Sequence, residues 1–313
     1  MINYDGWGSP PGRPRRRRGR GRTAITVAAL CVAVVIALLA GRSLLSSHPT
    51  AQPPVTGGPD QPATDMSAGR EWTLGACIDP TLSIIPAFAA TIRTDLAQAI
   101  ASLAPPATPI DTSAQPGQPV SPPQAGINLT VREVDTTSYS TNMATYTRNV
   151  TVPPVPGLMV SRPRPGSSDY ASQLRDWTQD YQTVTAARQT AATDAASASR
   201  TIAELPLDRN GSSAISACVS GLLVTVPPGG NHSYLIATDL QENEAPQLHG
   251  SFYGASLYVI QACDNGNANY CAGLLTRFTK EMRQLNVGQV VAIRPEDAAQ
   301  AITSWITTGE ATP

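Results

Sequence analysis

Residues 72–83 read WTLGACIDPTLS, and the fold is read from how this stretch changes character. Trp72 to Ile78 is an apolar run of strand length. Asp79-Pro80-Thr81-Leu82-Ser83 then sets one carboxylate and two hydroxyls at alternating positions. Beyond it Ile85, Phe88, Ile92, Leu96, Ile100 and Leu103 recur at helical spacing. A strand that stops at an aspartate and hands over to a helix is where open α/β sheets place their ligands. Three oxygens on an extended chain end can also converge on a hard divalent cation, which prefers oxygen ligands. On the pentad alone the simpler reading is a turn with a helix N-cap, because Asp, Ser and Thr are the preferred caps.

The chain downstream repeats the alternation. Residues 105–126 hold seven prolines and are expected as an exposed loop. Ile127 to Val134 (INLTVREV) alternates as a strand, and Thr145 to Val152 reads as a second, paired with it as an edge hairpin. Within 168–205, Tyr170, Leu174, Trp177, Tyr181 and Val184 fall four and three apart, and Ala191, Ala195, Ala198, Ile202 and Leu205 resume the register. This predicts a heptad-like helix roughly 54 Å long. It is either an amphipathic helix lying on its own domain or an arm that pairs with a second copy or another protein. Arg188 interrupts its stripe. Trp177 and Tyr181 read as core packing or as anchors for a partner.

A helix over Ser213 to Leu223, strands at Tyr234–Asp239 (YLIATD) and Ala255–Gln261, and a helix through Cys271, Leu274, Leu275, Phe278, Met282 and Leu285 follow. A strand at Gln289–Ile293 and a helix over Pro295–Trp305, with proline in its first turn, complete the series. Strands this apolar, alternating with helices, imply an α/β fold: a doubly wound, mostly parallel sheet with helices on both faces.

The N-terminal region supplies an address. Residues 1–22 contain seven arginines and one acid, Asp5, and Thr23 to Ala40 runs without a charge. That length reads as a transmembrane helix over 23–41, and the arginine excess before it puts 1–22 in the cytoplasm and the rest outside. A cleaved signal peptide fits less well, since no A-x-A site follows. Residues 42–70 read as a Pro/Gly/Ser-rich stalk, residues 71–307 as one extracytoplasmic domain, and 308–313 as a tail. Beyond residue 22 there are 15 Lys and Arg against 22 Asp and Glu, a net charge of −7. This argues against a nucleic-acid partner. Four cysteines lie beyond the span, at 77, 218, 263 and 271. In an oxidising compartment they suggest disulfides: Cys263 with Cys271 around a polar loop, and Cys77 with Cys218 by default, the alternative for the second pair being two buried free thiols. Their spacing matches no structural zinc motif.

In a parallel sheet the strands end on a common edge, and two further oxygen-bearing sites fall at matching ends. Asp239 closes YLIATD, and Ser212 precedes a helix in Asn210-Gly211-Ser212-Ser213. Plain readings are a loop carboxylate and an N-cap at Ser212 or Ser213. Together with Asp79, Thr81 and Ser83 they give two carboxylates and three hydroxyls, and the two acids would repel unless neutralised.

With this constellation the chain resembles the von Willebrand factor A domain, a doubly wound module. Its metal-ion-dependent adhesion site combines Asp-x-Ser-x-Ser, a later Thr, and an Asp ending the fourth strand. Asp79, Thr81 and Ser83 match the first motif with Thr in the middle. Ser212 takes the Thr position within Gly-Ser-Ser-x-x-x-Ala, and Asp239 the last, followed by Leu240 where the family often has Gly. The resemblance implies a divalent cation (Mg2+, or else Mn2+ or Ca2+) bound by Asp79, Thr81, Ser83, Ser212 and Asp239, which accepts an acidic side chain from a protein partner. Catalysis is not implied. Ser83 lacks a Gly-x-Ser-x-Gly elbow, and the only lysine, Lys280, lies outside any phosphate loop. The expectation is a membrane-anchored, cation-dependent binding module. The alternative is a metal-free assembly component that docks, or self-associates, through 168–205.

Overall fold

The computed structural model describes residues 69–80, 86–112, 120–134, 146–207, 213–226, 231–242, 248–263 and 267–312. The basic tail, the apolar span over 23–41, nearly all of the stalk, Thr81, Ser83, Ser212 and Pro313 lie outside them. Among the described residues no helix is long and apolar enough to cross a membrane.

Six strands form one sheet: β1 (Glu71–Ile78), β2 (Gly126–Glu133), β3 (Thr147–Val152), β4 (His232–Thr238), β5 (Ser256–Gln261) and β6 (Gln289–Ile293). Their spatial order is β3-β2-β1-β4-β5-β6. All neighbours pair in parallel except β2 and β3, which form the antiparallel edge. The chain winds outward from β1 through β2 to β3, then returns to β1's other side and winds through β4 to β6. The turnaround puts a topological switch point between β1 and β4.

The helices are α1 (Pro86–Ala101), α2 (Tyr170–Ala203), α3 (Ile215–Thr225), α4 (Ala268–Gln284) and α5 (Ala298–Thr308). Each element expected within the described residues is present to within a few residues. The last helix differs most, because Pro295–Asp297 forms a single 3-10 turn before α5 begins.

Side-chain alternation divides the core in two. Leu74, Ala76, Ile78, Ile127, Leu129, Val131, Leu235 and Ala237 face α1, α2 and α5. Cys77, Tyr234, Ile236, Leu257 and Val259 face α3 and α4. Helices therefore cover both faces, as near-continuous apolar strands require.

α2 lies on its own domain. Val184, Ala191, Ala195, Ala198 and Ile202 are buried along one stripe, whereas Tyr170 to Thr183 contains no fully buried residue. Trp177 stacks on Tyr181 with centroids 5.1 Å apart and donates its indole N–H to Val160 O. Arg188, the break in the stripe, is a tether: its guanidinium donates to Pro106 O at 2.7 Å and Thr108 O at 3.3 Å, holding the proline-rich loop.

The amino edge of the sheet is closed by the C-terminal segment. The Trp305 indole donates to Ser233 Oγ at 2.7 Å, and Ser233 Oγ donates to Gly309 O at 2.8 Å. Gly309 ends α5 at φ 75°, and a Cβ there would lie 2.3 Å from the Trp72 ring.

Two disulfides complete the frame. Cys77–Cys218 joins β1 to α3 and Cys263–Cys271 closes the loop before α4, the pairing expected from sequence.

Candidate functional site

β1 and β4 are neighbours, with Ile78 opposite Ala237, and both run toward the same edge. Asp79 N donates to Ala237 O at 2.9 Å, so the ladder continues one residue past β1. Asp79 therefore lies level with Thr238, and Asp239 follows next on the adjoining chain. Asp79 is fully buried and Asp239 is 2% exposed. Both flank the switch point, where open α/β sheets bind their ligands.

Hydroxyls hold the first carboxylate. Thr238 Oγ1 donates to Asp79 Oδ2 at 2.7 Å. Ser213 Oγ lies 3.1 Å from Oδ2 and 3.3 Å from Oδ1. Ser213 is not an N-cap: the residue at the start of α3 is Ala214, with no side-chain capping bond, and the Ser213 hydroxyl is turned to Asp79.

Asp239 has a different environment. Its Oδ1 accepts from Gln241 N at 2.8 Å, whereas its buried Oδ2 has no hydrogen-bond partner among the described residues. An unsatisfied buried acceptor costs about 1–3 kcal/mol, more when charged. Leu240 follows in the left-handed region at φ 63°, its N–H bound to Thr238 Oγ1. Thr238 thus bridges the turn after β4 to Asp79.

Glu242 extends the constellation. Its two carboxylate oxygens accept from Ser216 N at 3.1 and 3.2 Å, and Ser216 Oγ donates to it at 2.5 Å. It satisfies the amino end of α3, whose dipole favours negative charge there. Glu242 is thus bound to α3 rather than solvated as a loop carboxylate.

At the end of β2, Arg132 and Glu133 are each 2% exposed. Burial lowers the Arg132 pKa from its ordinary value. The Arg132 guanidinium occupies the space beside Gly221 of α3, where an added Cβ would lie 1.3 Å from Nη1.

Among the described residues no three His, Cys, Asp or Glu side chains converge in a metal-binding arrangement. The oxygen donors that could serve a cation are the carboxylates of Asp79 and Asp239 with the hydroxyls of Ser213 and Thr238. Thr81, Ser83 and Ser212, the other expected ligands, lie outside the described residues. His232 opens β4, at the opposite edge, its Nε2 3.0 Å from Phe252 O.

No protein-family model matches the chain, and no curated protein is significantly similar to it.

Proposed function

We propose that the edge between β1 and β4 holds a divalent cation, Mg2+ first with Mn2+ or Ca2+ as substitutes. In this reading the protein is a von Willebrand factor A-like binding module, anchored in the membrane through 23–41 and acting outside the cell. The observation that carries the proposal is the buried Oδ2 of Asp239, unpartnered among the described residues, one residue past the level of buried Asp79. Two carboxylates at one dry edge need a counter-charge, and all the donors are hard oxygens of the kind Mg2+ and Ca2+ prefer. When bound, the cation supplies a positive charge with open coordination positions for a partner's carboxylate.

The chain's own residues do the rest. Thr238 and Ser213 fix the orientation of Asp79, Gln241 N fixes Asp239, and Thr81, Ser83 and Ser212 are the further hydroxyls the motif would contribute. Leu240 supports the likeness, because it adopts the left-handed backbone at the position where the family often has glycine. Catalysis and nucleic-acid binding are not part of this reading.

The alternative, docking through 168–205 without metal, is less favoured because the second half of α2 spends its apolar stripe on its own domain. Calorimetric titration of the full chain in detergent with Mn2+ separates the two. A saturable isotherm is expected, lost in Asp79→Ala and in Asp239→Asn. Absence of saturable heat in the unaltered protein overturns the proposal.

A further inference from the structure

We infer that Glu242 is a positioning residue of the cation site: by holding the first turn of α3 it keeps the Ser213 hydroxyl on Asp79. This rests on the cation reading above and assigns a role to a residue outside the motif.

α3 needs an external anchor at its amino end. The first N–H groups of any helix lack intrahelical partners, and Ala214 has no side chain to satisfy them. Glu242 reaches across from the segment after β4 and takes both the N–H and the hydroxyl of Ser216. Ser213 lies about one turn before Ser216, so the turn that Glu242 grips is the turn from which Ser213 reaches Asp79. Farther along, Cys218 bonds to Cys77, two residues before Asp79 on β1.

Besides its apolar packing the helix is held, among the described residues, by three polar or covalent ties, one of them Ser220, whose Oγ accepts from His249 N at 2.8 Å. The disulfide holds its fourth residue, Cys218, to the strand that carries Asp79. Glu242 holds its start to the segment that carries Asp239. A helix fixed only at Cys218 and Ser220 could still rotate about that stretch and carry Ser213, five residues before Cys218, away from Asp79. The hydroxyl's contacts with Asp79, at 3.1 and 3.3 Å, have little slack before they cease to be hydrogen bonds.

The test is Mn2+ titration of the full chain in detergent with Glu242→Ala, Glu242→Gln, Ser213→Ala, and the double variant Ser213→Ala/Glu242→Ala. Glu242→Ala is expected to weaken Mn2+ binding about tenfold. Glu242→Gln keeps an acceptor for Ser216 but no charge, and is expected to restore most of the affinity. In the Ser213→Ala background Glu242→Ala is expected to add nothing, because its effect has already been removed. Equal loss in the Ala and Gln variants would show that charge or direct ligation matters, and would overturn positioning. So would additive losses, or no loss. If Glu242→Ala does not fold, Ser216→Ala, which removes one of the donors, is expected to show a smaller loss that disappears beside Ser213→Ala. Failure of the unaltered protein to bind Mn2+ removes the cation reading and this role together, whereas normal binding with a silent Glu242→Ala removes this role alone.

Discussion

Leu240 sets two energies against each other. Its left-handed backbone costs an L-residue roughly 1–2 kcal/mol, while its side chain is 6% exposed and packs among Tyr234, Phe252 and their neighbours. Truncating a buried leucine to alanine costs about 2–5 kcal/mol. Burial wins, so Leu240→Gly is expected to lower stability by about 1–3 kcal/mol in urea denaturation despite relieving the backbone. A gain in stability would mean that strain dominates the turn after β4. The two aspartates were legible in the sequence because each ends an apolar run. The hydroxyls were not. That Ser213 reaches Asp79 depends on where α3 starts, and the residue at that start is Ala214. Thr238 reads in sequence as a β-branched strand residue, and only the pairing register sets it level with Asp79. Glu242 and Ser216 are 26 residues apart, and no local pattern joins them.

Among the elements, the two disulfides differ in what they restrain. Cys77–Cys218 closes a separation of 141 residues and Cys263–Cys271 one of 8. Loop-closure entropy assigns about 5 kcal/mol to the first and about 2.5 kcal/mol to the second. Replacing each pair with serine is expected to shift the urea midpoint in that order, and the reverse order would show that the unfolded chain is not the controlling state. α2 illustrates how far periodicity reaches. The spacing from Tyr170 to Leu205 fixed its length almost to the residue, yet the same stripe suits a free arm or a packed helix. The difference came from partners remote in sequence, and the apparent flaw in the stripe, Arg188, is explained only by the carbonyls of Pro106 and Thr108.

For the whole molecule, the alkaline limit of stability follows from the core beneath α3 and α4. Tyr234 packs edge-on against Phe252, with centroids 5.0 Å apart, and burial pushes its phenol from 10.0 up to about 12. Below pH 10 both folded and unfolded chains keep this proton, so Tyr234 adds no pH dependence. Between pH 10 and 12 the unfolded chain releases it more readily, and stability falls by up to about 2.7 kcal/mol. Urea midpoints across pH 9–12 should show this fall, and Tyr234→Phe should flatten it; an unchanged slope would mean that other groups govern alkaline unfolding. Doubly wound character was readable from the alternation of apolar strands and helices. The order of those strands was not, because consecutive elements pair beside one another until β4 returns to the far side of β1.

The bonds joining Trp305, Ser233 and Gly309 have a practical corollary. They bring the chain's last described residues to the rim where β1 sets out from Glu71, so entry and exit share one pole of the sheet. Asp79 and Asp239 lie at the opposite pole. A reporter or immobilising tag joined at Thr312 therefore departs from the pole opposite Asp79 and Asp239.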